Sequence, residues 1–528
     1  NFLLSSEKWA SIAANQFDQE YPNSELDGAW KKLLFNQFHD IIGGSAIPPA
    51  VTDAMQAYLG VHESCESVTE NALNTIIRKI DTRGDGVPIV VFNSLSWKRT
   101  DVVEAELECA DSIKSLSLTD GEGKDAPVRI LGERTHRDDH FIRFMFVAKD
   151  IPSFGYKTYF AHPEESAPPE KAAATSDKQF ILENEHFRIE VDPETGYLSH
   201  ILDKDARREI LRAEGNVIVA IDDDGDSEGR FIEGKDEAPI PPGEAQDVRE
   251  PATISFIAND ATGVALRVER SYQHSRFIQE IRLYPGVPRA DFRLKIDWRD
   301  VHKMIKVAFP LDLAKPEITY DGPYAAIVRP ADGREYPAQK WVDLADGKYG
   351  VSLMNNGRYA HDVKDSTIRM SILRSPTSPA NNTDEGAHEL DYSLFAHKGS
   401  WRDAGVMRQG YFVNAPLLAR QSNAHPGTLP SENSFISVKT KRSKDGVYLE
   451  TIKKAYDSDA LILRLCEYRG EKTRASIELP AKVVNAQETD LLENSTNAKC
   501  EYKEKSITTE FSPYEIKTLH VKLGKEQK

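Results

Sequence analysis

The apolar residues of the first 82 positions recur at helical spacing, and those of the remaining ~440 recur mostly at the spacing of strands. Trp9, Ile12, Ala13 and Phe17 fall on one helical face, and Pro22 interrupts it. Ser24-Glu25-Leu26-Asp27 has the pattern of a capping box, with a hydroxyl placed to take an orphan N–H and an acid at the third position. Leu26, Trp30, Leu33, Leu34, Gln37 and Phe38 then form one mostly apolar stripe. This predicts a helix that continues until Gly43-Gly44 stops it. Pro48-Pro49 opens a third helix carried by Val51, Met55, Tyr58, Cys65, Ala72 and Ile76.

After Gly84-Asp85-Gly86 the period drops to two. Ile89 to Phe92, Val102 to Leu107 and Phe141 to Val147 read as strands, followed by a Pro/Ala/Glu-rich linker from Ala161 to Lys178. A long series of strands runs from Phe180 to Leu373, and a second soft stretch, Leu417 to Ser434, precedes the last unit. So many strands without crossover helices predict antiparallel sandwiches. The fold class is mostly β with an N-terminal α-helical bundle. The predicted domains are a helical bundle at 1–82, a small β-sandwich at 83–165, a large β-sandwich at 166–430 and a C-terminal β-sandwich at 431–528.

Composition narrows the class of partner. With 67 Lys+Arg against 84 Asp+Glu the net charge is −17. No basic run can track phosphates, so neither nucleic acid nor an anionic membrane is an expected partner. No apolar run approaches the ~20 residues of a membrane span. Cys65, Cys109, Cys466 and Cys500 are scattered without a C-x-x-C pair, which reads as reduced thiols and not as a zinc knuckle or disulfide scaffold. The opening Asn1-Phe2-Leu3-Leu4 is no signal peptide. It reads as a chain already under way, and a cytoplasmic location is the expectation.

His39-Asp40 is the first candidate for chemistry. An imidazole and a carboxylate sit where a helix breaks, within reach of a ligand. The plain alternative is a helix-end His followed by a turn Asp. A catalytic zinc needs about three protein ligands, and His39 supplies one. His136-Arg137-Asp138-Asp139-His140 is better read as a polar hairpin turn than as a ligand cluster, and the acidic loop from Asp222 to Gly229 as a solvated loop than as a calcium site. Arg374 with Asp384 and His388 forms a polar loop after a strand: an ordinary hairpin, or a loop reaching over a site where Arg holds a carboxylate or hydroxyl. Gln339-Lys340-Trp341 could stack on a sugar or simply pack. The sequons at Asn381 and Asn494 have no secretory signal behind them. No P-loop, G-x-S-x-G elbow or dinucleotide fingerprint occurs.

Five separated motifs resemble one family, in the family's order. Trp30 to Ser45 (WKKLLFNQFHDIIGGS) resembles the helical-domain signature of the glycoside hydrolase family 38 α-mannosidases. Pro88 to Trp97 resembles that family's first strand after the helices, and Leu182 to Val191 with Thr195-Gly196 and Leu202-Asp203-Lys204 the opening of its large sandwich. Gln339 to Leu344 and Leu373 to Thr377 are similar as well. The resemblance implies a large galactose-mutarotase-like supersandwich plus smaller sandwiches, and a zinc-dependent retaining exo-α-mannosidase acting on α-mannoside glycans. In such enzymes a barrel Asp attacks the anomeric carbon and a second acid protonates the leaving oxygen.

Carried over by residue, the resemblance makes His39 the family's last zinc ligand and Asp40 its neighbouring sugar-contacting carboxylate. Arg374 is a looser match to an Arg that the sandwich sends toward the active site. The nucleophile, the acid and the other zinc ligands belong to the family's N-terminal barrel, which would precede Asn1, so no catalytic residue is assigned within this chain. The expectation is a C-terminal part that needs the N-terminal catalytic barrel of the same protein and is inactive without it. Self-association is also implied. The alternative is a non-catalytic carbohydrate-binding or scaffold β-sandwich protein, supported by Trp341 and Trp401.

Overall fold

The protein is described here by a computed structural model, which places residues 1–136, 139–164, 179–223, 245–378, 384–441 and 446–524. Helix α1, Phe2–Phe17, ends where Asp18 turns left-handed with φ 54°. Helix α2, Asn23–Phe35, starts one residue before the expected cap. Ser24 therefore lies in the first turn, and its hydroxyl donates to the Glu25 carboxylate at 2.8 Å instead of capping. The helix also stops short of Gly43. The amides of Gln37 and Phe38 bond three residues back, to Leu34 and Phe35, which tightens the last turn and closes it. Phe38 then takes an extended ψ of 141°, and a separate single turn, α3, covers His39–Ile42. Helix α4, Pro48–Ile77, follows as expected. Among the described residues no helix is long and apolar enough to cross a membrane.

The chain divides into two compact units. The first comprises Asn1–Leu33, Ala57–Lys171 and Ala415–Lys528. Here Leu3 and Ala10 of α1 pack with Leu26 and Ala29 of α2 and with Val61, Cys65 and Val68 of α4. The opposite face of α1, with Trp9, Ile12 and Ala13, joins a β core that includes Phe92, Leu449 and Ile452. The strand Val87–Asn93 lies between Leu418–Gln421 and Gly155–Glu164, and Glu432–Ser434 closes the far edge. The soft stretch after Leu417 supplies both edge strands of this sheet. The expected linker begins as sheet, since the strand runs to Glu164; the part from 165 to 178 lies outside the described residues. A four-stranded and a five-stranded antiparallel sheet make up the C-terminal part. The four cysteines form no disulfide: Cys65 and Cys466 are buried, Cys109 and Cys500 half-buried.

The second unit comprises Leu34–Gln56 and Ala172–Asn414. Its antiparallel sheets have four, six and nine strands and share one core. The strand Ala290–Trp298 shows why: in ADFRLKIDW every second residue (Ala290, Phe292, Leu294, Ile296, Trp298) is buried. Alternation with period two puts that whole set on one face. The fold is therefore the expected one, mostly β and antiparallel, with few helices.

The six-stranded sheet holds a buried charge network. The Lys306 ammonium lies 2.7 Å from both Asp362 and Glu335, and Arg369 Nε reaches the other Asp362 oxygen at 2.7 Å. Next to it His361 is fully buried and its Nδ1 donates to the Tyr359 carbonyl at 3.0 Å. Burial, with a smaller push from Lys306, brings its pKa down to about 4, against the opposing pull of the Tyr359 carbonyl, Asp362 and Glu335. The folded chain thus keeps this imidazole neutral where an unfolded chain, titrating near 6.5, would protonate it. Its contribution is complete above pH ~6.5 and shrinks as pH falls toward ~4. Urea unfolding of the parent should lose roughly 3 kcal/mol more between about pH 7 and pH 4 than His361→Gln does. Equal losses in the two proteins would remove His361 as the cause.

Candidate functional site

Chain geometry alone exposes His39 and Asp40. None of the residues of α3 is buried. Two glycines shape the turn behind it. The Gly43 amide donates to the His39 carbonyl at 2.9 Å, and a Cβ at Gly43 would sit 2.7 Å from that oxygen. Gly44 follows at φ +78°, in the region that favours glycine. The chain then comes back to Asp40: the Ser45 amide donates to its carbonyl at 3.0 Å and the Ser45 hydroxyl to Oδ1 at 3.2 Å.

That same Oδ1 lies 3.4 Å from His39 Nε2. The imidazole rests on the Phe38 ring with centroids 4.1 Å apart, and its side chain is 78% exposed. An exposed imidazole can offer a lone pair to a metal, and a carboxylate held by a hydroxyl can accept from a sugar hydroxyl. One ligand is not a metal site. Among the described residues no group of three or more His, Cys, Asp or Glu is arranged to hold an ion. A catalytic zinc takes about three protein ligands, and His39 has the chemistry of one of them.

The surroundings of the pair are apolar. Leu34, Phe35, Phe38, Ile42, Ile47 and Met55 are each more than half exposed, Phe35 to 82%. Such a concentration of large exposed side chains along the stretch of chain that carries the pair is the composition of a contact surface.

Arg374 ends the strand Thr367–Arg374. Its guanidinium grips Asp223 in a two-point contact, Nε to Oδ2 at 2.5 Å and Nη2 to Oδ1 at 3.0 Å. The Arg374 amide also meets the Asp384 carboxyl at 3.3 Å, and His388 Nε2 donates to the Asp384 carbonyl at 2.7 Å. Burial raises the pKa of Asp384, with His388, the Arg374 amide and Arg358 pulling the other way. The structure therefore assembles Arg374, Asp384 and His388 into one cluster. It adds Asp223, a partner 151 residues away for which the sequence offers no local signal.

Other candidates fall to ordinary roles. His140 pairs with Glu133 at 2.9 Å across a hairpin, while Arg137 and Asp138 lie outside the described residues. So do the acidic loop from Asp224 onward and the Asn381 sequon. Trp341 and Trp401 are buried, with ring centroids 5.0 Å apart, so they pack and do not present a sugar platform.

Three family models match the chain and together span well over half of it. They are the α-mannosidase middle domain over residues 1–76, the glycosyl hydrolases family 38 C-terminal domain over 182–382, and that family's C-terminal β-sandwich domain over 446–519. The chain belongs to glycoside hydrolase family 38. Alpha-mannosidase 2C1 of Mus musculus is 28% identical over 522 residues, covering 94% of this chain and 46% of that protein. Alpha-mannosidase G of Dictyostelium discoideum is 23% identical over 546 residues, covering 95% and 48%. The family-38 chain thus spans about half the length of the curated relatives it matches. An alpha-mannosidase from Enterococcus faecalis V583 has the same fold, with a TM-score of 0.81 at 17% identity over 99% of this chain and 66% of that one. In this family-38 chain, His39 and Asp40 lie inside the middle-domain match, and Arg374 lies inside the C-terminal-domain match.

The Asp223 carboxylate is only 5% exposed, so removing the Arg374 guanidinium takes away a buried two-point contact. Arg374→Ala should cost about 3 kcal/mol in denaturant unfolding. The double variant Arg374→Ala/Asp223→Ala should cost less than the sum of the two single changes. Additive losses would mean that the pair is not coupled.

Proposed function

We propose that this chain is the C-terminal part of a zinc-dependent retaining exo-α-mannosidase, and that it contributes one wall of the active site. The observation that carries the reading is the solvent-facing His39-Asp40 pair within the match to the α-mannosidase middle domain. His39 would be one zinc ligand, and Asp40 would bind hydroxyls of the terminal mannose. Bound zinc would supply Lewis-acid polarisation and orientation of the sugar. This chain's own part is to present the two groups side by side: the Ser45 hydroxyl holds the Asp40 carboxylate, and the imidazole rests on Phe38.

The nucleophile, the acid and the remaining ligands belong, in this reading, to an N-terminal barrel of the same protein. The apolar collar from Leu34 to Met55 is the surface that barrel would cover. Two facts support that occupant: the relatives are about twice as long as this chain, and each large collar side chain gains about 1.5–3 kcal/mol on full burial. Arg374 has a weaker place in the reading, because its guanidinium is already committed to Asp223. The rival, a non-catalytic glycan-binding scaffold, loses its support with the burial of Trp341 and Trp401. Four free cysteines fit a reducing compartment such as the cytoplasm.

The test is reconstitution. These 528 residues alone, with zinc, should not hydrolyse an aryl α-mannoside. Joined to the barrel they should, and Asp40→Ala or His39→Ala should lower kcat/KM by at least about a hundredfold. Zinc should bind weakly to the chain alone, and His39→Ala should abolish that binding. Turnover by the isolated chain would overturn the reading. Phe35→Glu/Phe38→Glu should change the chain's own stability by less than about 1 kcal/mol. It should weaken barrel association at least about tenfold in a pull-down titration.

A further inference from the structure

One face of α4 carries a pattern that the proposed active-site wall does not use. Asn71, Asn74 and Thr75 of α4, with Arg78 in the turn that ends it, stand at i, i+3, i+4 and i+7, the spacing a helix ordinarily gives to an apolar packing stripe. Here the stripe is two amides, a hydroxyl and a guanidinium. It forms one wall of a cleft of about 680 Å³, and the other wall is the chain from Gln19 to Glu25. That volume lies within the range of small-ligand sites.

The far wall is held in place. Asp18 turns the chain left-handed out of α1, and Pro22 keeps the next residues from joining it. The Tyr21 hydroxyl donates to Glu7 at 3.1 Å, and Glu7 also accepts from the Trp30 indole at 3.2 Å. On the α4 side the Asn74 amide donates to Glu70 at 2.9 Å and Arg78 Nη2 to Thr75 at 3.0 Å. These contacts fix both walls before any ligand arrives.

We infer that this cleft is a second carbohydrate site that takes a short, neutral oligosaccharide. Its chemistry selects the class. Amides and hydroxyls both donate and accept, which suits the vicinal hydroxyls of a sugar. Glu20 and Glu25 on the rim disfavour an anion, and Arg78 disfavours a cation.

The choice of probe rests on the mannosidase reading, whereas the cleft does not. The experiment is saturation-transfer NMR and calorimetric titration of the full chain with a linear α-mannotriose. Millimolar binding is expected. Asn71→Ala/Arg78→Ala should weaken it at least about tenfold without moving the melting curve, and His39→Ala/Asp40→Ala should leave it unchanged. Thr75→Trp, which fills the cleft, should abolish it. No binding up to about 20 mM would overturn the inference. So would binding lost with His39→Ala/Asp40→Ala but kept in Asn71→Ala/Arg78→Ala, and in that case the active-site reading would stand.

Discussion

Helix α1 is buried on every side, and the rest of the helical region is built on that constraint. Ser6 to Ala13 are buried without a gap. A helix surrounded by protein must pair its polar side chains inside the fold. Ser6 accepts from Thr69 at 2.8 Å, and Ser11 donates to the Glu7 carbonyl at 2.7 Å. Burial raises the pKa of Glu7, while Tyr21, Lys453, Trp30 and Arg464 favour its charged form. The contacts with Thr69, Tyr21 and Trp30 tie α1 to α4, to the turn before α2 and to α2 itself. Together they set where α2 and α4 run, and hence where the connection between them begins and ends.

That connection is governed by the opposite condition. Leu34, Phe35, Phe38 and Ile42 have the composition of a core and the exposure of a surface. In an isolated chain this is a liability, and in a larger assembly it is a seam. The polar pair at its centre follows the same logic. There an imidazole and a half-exposed carboxylate stand together with most of their hydrogen-bonding capacity open to solvent.

The large sandwich treats charge differently. Lys306, Asp362, Glu335 and Arg369 are drawn together where no single partner would suffice. A buried ion pair repays its desolvation only when its remaining hydrogen-bonding capacity is met. Arg374 and Asp223 repeat the principle at the end of a strand. Arg374 resembles a site residue by sequence, and in the fold its side chain is already spent on holding that end together.

The amino-acid sequence by itself determined the class of fold and pointed to the His39-Asp40 pair. Period-two runs such as ADFRLKIDW can bury only one face, so antiparallel sheets followed from the alternation. The His-Asp pair before two glycines was legible because a helix break is a local event. What only the tertiary structure decided depends on distant partners. Helix α2 stops at Phe35 and not at Gly43, because the apolar stripe beyond Leu33 meets too little protein to hold it as helix. Trp341 and Trp401 became packing once their rings met across 60 residues of chain. The partner of Arg374 and the cleft wall opposite α4 were invisible for the same reason. Local propensity fixes which way a side chain can point along its own element, but only the packed fold decides what it meets there.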